Sequence, residues 1–172
     1  MEKTYYLITG IMASGKSTTA EALARSMDKC VHVRGDIFRR MVVSGRADMC
    51  ENAPPEAIAQ LNLRYDLSAQ TARAYFGAGF SVVLQDNYYC EALPAMLERL
   101  KGLPVRTVVL CPDVETVKNR EALREKKGYT GFSVESLHKS FMEGTPRVGF
   151  WLDNSKLTEN ESICKIRAHF GK

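Results

Sequence analysis

The sequence has no C-x-x-C pair, no apolar run long enough to cross a bilayer and no His or Cys spacing suited to a metal ion. Its five cysteines, Cys30, Cys50, Cys90, Cys111 and Cys164, are odd in number and widely spaced. That pattern excludes a disulfide framework and predicts reduced thiols, hence a cytoplasmic protein. An export signal is also missing, because Gly10 and Lys16 interrupt the N-terminal apolar stretch. The three histidines, His32, His138 and His169, and the single Trp151 read as structural. Charge of one sign is scarce: 24 basic against 20 acidic side chains leave a net +4. This small excess sits mainly within 118–127, so it predicts a phosphate contact and argues against a surface for long nucleic acid. Repeats and low-complexity tracts are absent.

What remains is an ordinary core-forming mixture, 45% hydrophobic and 26% charged over 172 residues, enough for one domain spanning 1–172. Five short apolar runs, at 5–9, 30–33, 80–84, 105–111 and 148–152, have strand length and β-branched or aromatic content. Several are apolar almost throughout, as strands covered on both faces must be. Helical patterns lie between them, at 17–27, 54–78, 91–101, 113–126 and 134–142. The 54–78 segment opens on a Pro pair and carries Ile58, Leu61, Tyr65, Ala69, Ala72 and Phe76 at helical spacing. Pro94 belongs in the first turn of its helix. A last helix begins with a capping box, Thr158 to Glu161. Alternating strands and helices predict an α/β fold with a parallel sheet and helices on both faces. Residues 44–53 read as a loop, and 128–131, bracketed by glycines, as a mobile one.

The strongest chemical signal is Gly10-Ile11-Met12-Ala13-Ser14-Gly15-Lys16-Ser17, which fits G-x-x-x-x-G-K-[ST] at every fixed position and lies between a predicted strand and helix. Gly10 and Gly15 let the backbone wrap around phosphate oxygens, with Ala13 and Ser14 completing the loop. Lys16 reaches the β and γ phosphates, and the Ser17 hydroxyl is a magnesium ligand. Thr18 is a neighbouring candidate for nucleotide contact.

Asp36 follows the second strand, where ligands collect in an open parallel sheet. It is the candidate base for an acceptor hydroxyl. If its segment is helical, Arg39 projects to the same side and can hold the acceptor; a helix-capping Asp beside a surface Arg is the plainer alternative. Asp86 ends the third strand, placed to support the metal directly or through water. Tyr88 and Tyr89 either wall the acceptor or pack under the next helix. Arg120 and Arg124, one helical turn apart, can present two guanidinium groups to a nucleotide, or, with Glu121, Glu125 and Lys118, belong to a solvated salt-bridged face. The glycines that follow point to a lid over 124–133. Asp153-Asn154-Ser155 either lines a base pocket or turns the chain.

With these segments in order, the sequence resembles the small P-loop kinases, especially the branch of chloramphenicol phosphotransferase, the zeta-toxin-like kinases and the kinase domain of phage-type polynucleotide kinase. The resemblance implies a five-stranded parallel core of the nucleoside-monophosphate-kinase type. It implies Lys16 and Ser17 as triphosphate and metal contacts, Asp36 as the base and Arg39 as the acceptor-side arginine. Arg120 and Arg124 match the nucleotide and lid arginines, and 150–155, including Asn154, matches the segment flanking adenine. The acceptor region 41–60 matches no substrate signature, and no phosphatase half or nucleic-acid-binding extension is visible.

The expected activity is magnesium- and ATP-dependent phosphoryl transfer to a hydroxyl of a small molecule, a metabolite or antibiotic, with no membrane partner. A polynucleotide 5′-hydroxyl kinase and a slowly hydrolysing, nucleotide-responsive module are the alternatives.

Overall fold

The computed structural model describes residues 3–50, 52–124, 129 and 133–171. Its core is a five-stranded, wholly parallel sheet in the order β2-β3-β1-β4-β5. The strands are β1 (Tyr5–Thr9), β2 (Cys30–Arg34), β3 (Ser81–Gln85), β4 (Val105–Leu110) and β5 (Phe150–Leu152). The helices are α1 (Lys16–Arg25), α2 (Asp36–Met41), α3 (Pro55–Gly77), α4 (Ala92–Arg99), α5 (Val114–Ala122), α6 (Val134–Gly144) and α7 (Glu159–His169).

Strand alternation sorts the core into two layers. Tyr5 and Leu7 of β1 point with Val82, Leu84 and Val109 into a cluster closed by Tyr65, Phe76, Met96, Val117 and Phe141 from α3, α4, α5 and α6. Tyr6 and Ile8 point the other way, with Val83, Val108 and Leu110, against Ala20 and Leu23 of α1 and Ile163 and Ile166 of α7. Every residue of β1 and β3 is buried, as their continuous apolar runs predict. Truncating one of these, such as Leu7 or Leu84, to alanine costs about 2–5 kcal/mol.

Local chemistry fixes the helix ends. Asp113 and Ser133 accept from the amides of Thr116 (2.7 Å) and Ser136 (3.0 Å). Thr158 and Glu161 form the reciprocal capping box that the sequence predicts. Pro94 lies in the first turn of α4.

Two boundaries and one inward position differ from expectation for identifiable reasons. β5 spans only Phe150–Leu152 because Gly149, at φ 74°, kinks the chain where a Cβ would meet the Thr107 carbonyl at 2.5 Å. On α3 the inward position is Ala57; Ile58 is half exposed. The helix expected over 113–126 ends at Ala122. Buried Glu121 at the helix end accepts from Arg124 (3.0 Å) and from the Tyr129 amide (3.3 Å). Among the described residues no helix is long and apolar enough to cross a membrane.

Candidate active site

The carboxyl ends of β1, β2 and β3 open into one cleft of about 1290 Å³, roofed by α2 and α3. Open parallel sheets bind ligands at this edge.

Between β1 and α1, residues 10–15 form a tight loop. A Cβ on Gly10 would lie 2.5 Å from the Leu110 carbonyl and 2.7 Å from Ser14 Oγ, so the position admits only glycine. Gly15 caps α1 at φ 91°, and Ala13 is held at φ 62°, a conformation that non-glycine residues rarely adopt. No side chain caps α1, so its first amides face the cleft as an anion-binding terminus, with Lys16 and Ser17 at the first two helical positions. Lys16 is buried, and its ammonium donates to the Ile11 carbonyl at 2.6 Å. Burial pushes its pKa down to about 7, against the opposing pull of Asp86. Ser17 Oγ lies 3.4 Å from Gln85 Oε1, and Thr18 is exposed on the cleft wall.

The loop is braced from the carboxyl half of the chain. The Ser14 carbonyl accepts from Arg120 (3.2 Å) and from Asn154 Nδ2 (3.0 Å), and the Asn154 carbonyl accepts from Arg120 (2.9 Å). The Met12 carbonyl accepts from the Tyr129 hydroxyl at 2.7 Å. Asn154 is thus a buried brace on the phosphate loop. Arg124 lies just beyond the end of α5 rather than on it, and both it and Arg120 line the cleft. Most of the expected lid, 125–128 and 130–132, lies outside the described residues.

Asp36 is the first residue of α2. As its spacing predicts, Arg39 turns to the same side and donates to it at 3.0 Å; Arg40 donates to the other oxygen at 2.6 Å. Arg39 also reaches Asp48 at 2.7 Å. Burial favours the protonated Asp36 carboxyl, but the two guanidinium groups outweigh it and hold the pKa below the ordinary aspartate value.

Asp86 follows β3, as expected, and is buried there. Its partner was not anticipated. Arg64 of α3 grips both carboxylate oxygens, Nε at 2.6 Å and Nη2 closer still, and the Asn87 amide adds a third bond at 2.7 Å. Gly35 makes room for this pair, since a Cβ there would collide with the Asp86 carboxylate. A cation on the inward side of α3, three residues after Leu61 and four before buried Ser68, was the available sequence signal. Thr9 was also missed; its hydroxyl bonds both the carbonyl and the amide of Tyr88, at 2.5 Å and 2.8 Å, tying the β1 exit to the β3 exit. Tyr88 is fully buried edge-on to Tyr65, and Tyr89 packs against Phe141, so both take the packing alternative.

Eight cationic and four acidic residues line the cleft, a balance suited to a polyanion at the phosphate loop. Among the described residues no group of three or more His, Cys, Asp or Glu is arranged to hold a metal ion.

Comparison with known proteins agrees with this architecture. The tunicamycin resistance protein of Deinococcus radiodurans superposes with a TM-score of 0.72 at 17% identity, covering 99% of this chain and 96% of that one. A sugar kinase from a Janibacter species gives 0.70 at 18%, covering 97% and 94%. Shikimate kinase from Bacteroides thetaiotaomicron gives 0.65 at 13%, covering 98% and 99%. No curated protein matches the sequence. The AAA domain family model (AAA_33) matches residues 6–142. The chain therefore belongs to the AAA domain family and carries the fold of the small P-loop kinases.

Proposed function

We propose that the protein is an ATP-dependent phosphotransferase that moves the γ-phosphoryl group to a hydroxyl of a small molecule. The observation that carries this reading is the presence in one cleft of buried Lys16 on the phosphate loop and of the Asp36 carboxylate held by Arg39 and Arg40. A carboxylate beside the phosphate site can take the proton of an incoming hydroxyl, and the breadth of the cleft around it leaves room for an acceptor larger than water.

In this reading, the residue 10–15 loop and the α1 amides cradle the triphosphate, and Lys16 donates to the β and γ phosphates. Phosphate charge beside Lys16 favours its ammonium form and offsets the effect of burial. Arg124 on the cleft wall and Arg120 behind the loop stabilise charge on the transferring group. Asp36 accepts the proton of the acceptor hydroxyl as its oxygen bonds to the γ phosphorus. The bond from that phosphorus to the bridging oxygen breaks, and ADP leaves. Arg39, bonded to both Asp36 and Asp48, holds the carboxylate toward the acceptor.

The residues fit magnesium, since Ser17 Oγ and Gln85 Oε1 are neighbouring hard oxygen donors on the cleft. When bound there, it would neutralise charge on the phosphates. Asp86, engaged by Arg64, would support such a cation through water or after exchange of that partner.

The test is γ-labelled ATP with a panel of metabolites, antibiotics and short oligonucleotides bearing free 5′ hydroxyls. Label on a small-molecule acceptor is expected. Label on inorganic phosphate alone, whatever is added, would overturn the reading in favour of a nucleotide-responsive module, and label only on oligonucleotides in favour of a polynucleotide kinase.

A further inference from the structure

The acceptor end of the cleft has a composition that the phosphotransferase reading does not require. Among the described residues, ten large apolar side chains are exposed, and five of them line this one cleft: Ile37 and Met41 from α2, Met49 from the following loop, and Leu63 and Leu67 from α3. Met41 is 67% exposed and Leu63 54%. Leaving such side chains in water forgoes stabilisation unless something covers them.

Most of the polar groups beside them are already committed. Arg39, Arg40 and Arg46 pair with Asp36 and Asp48, three cations against two carboxylates, and Arg64 is spent on Asp86. Gln60 donates to the Gly45 carbonyl (2.8 Å) and to Glu56 (2.8 Å) and accepts from the Ala47 amide (2.9 Å), closing the loop against α3. A polyol would find few unspent partners here beyond Asn87, and a polyanion two excess positive charges, one of them Arg34 at the end of β2. An apolar body would find methionine and leucine walls, side chains whose unbranched or rotatable ends can fit its shape.

We propose that the acceptor is an alcohol carried on an apolar body, which lies against Met41, Met49, Leu63 and Leu67 while its hydroxyl faces Asp36. This rests on the phosphotransferase reading and names its substrate class. The occupant is the acceptor because the apolar surface is continuous with the cleft that holds Lys16 and Asp36.

A homologous series from propane-1,2-diol to decane-1,2-diol, offered with ATP and magnesium beside gluconate and a 5′-hydroxyl dinucleotide, tests this. Each methylene that enters the groove should raise kcat/KM about fourfold, until the groove is filled. In Leu63→Ser and Met41→Ser, both at exposed positions, the gain per methylene should fall below about twofold. A flat series with gluconate or the dinucleotide preferred overturns the proposal and leaves the phosphotransferase reading standing. If no compound is phosphorylated, calorimetry of decane-1,2-diol binding decides separately. Binding with a negative heat-capacity change that Leu63→Ser weakens supports the groove, and no binding overturns it. A concentration-dependent dimer that Leu63→Ser dissociates would also overturn it, since a second copy would then cover the surface.

Discussion

Replacing Asp86 by asparagine isolates the buried pair on which the acceptor side of the cleft is built. The change keeps the side chain's shape and removes its charge. Asp86 is 3% exposed, and Arg64 keeps only 12% of its side-chain surface in water, so the guanidinium left behind cannot recover hydration. Breaking a buried pair by removing one partner costs about 3–5 kcal/mol. For a domain of this size each kcal/mol lowers Tm by roughly 2–4 °C, so the expected drop is roughly 6–20 °C. The assay is equilibrium unfolding in urea, with and without ATP, on Asp86→Asn, Arg64→Met and the double variant. The double variant should be more stable than additivity predicts by about 2–3 kcal/mol, the coupling of a contacting pair. A loss below about 1 kcal/mol in Asp86→Asn with an unchanged urea slope would refute the reasoning, because Arg64 would then have found water or another partner.

Three further outcomes follow from the same geometry. Gly10→Ala places a methyl group 2.5 Å from the Leu110 carbonyl and should abolish ATP binding measured by calorimetry; unchanged affinity would show that the loop does not hold phosphate. Arg40→Ala removes one of the two guanidinium groups that keep Asp36 below its ordinary pKa. The Asp36 pKa should rise, and because the base works deprotonated, the acid limb of the kcat/KM profile should move to higher pH; a stationary limb would exclude Asp36 as the titrating group. Tyr129→Phe loses the hydrogen bond to the Met12 carbonyl and should weaken ATP binding by about 0.5–1.5 kcal/mol, measured as a shift in Kd.

How much was legible in the sequence varied with the range of the forces involved. β1 and the phosphate loop were readable residue by residue, because a continuous apolar run and two obligatory glycines are local constraints. The Asp36–Arg39 bond was readable too, since three residues of helix bring them together. Arg64 with Asp86 was not: the inward helix position of Arg64 marks it as unusual, but its partner lies 22 residues away and no local spacing names it. The 150–155 segment left a base pocket and a chain turn open, and the bond of Asn154 to the Ser14 carbonyl, 140 residues away, was beyond its reach. The end of α5 was misplaced because propensity favours continuing through 126, whereas the helix ends at Ala122, where Glu121 is engaged by Arg124 and the Tyr129 amide, contacts that propensity does not register. The apolar lining of the acceptor end was hidden for the same reason. Met41, Met49 and Leu63 belong to three separate segments, and only folding gathers them into one cleft.

The central claim is that Asp36 removes a proton from an acceptor while the phosphate loop independently holds ATP. Asp36→Asn, compared with the parent for label transfer from γ-labelled ATP and for ATP affinity by calorimetry, tests it most directly. Turnover should fall by roughly 100- to 10,000-fold with the ATP Kd unchanged; full transfer activity in the variant would contradict the account.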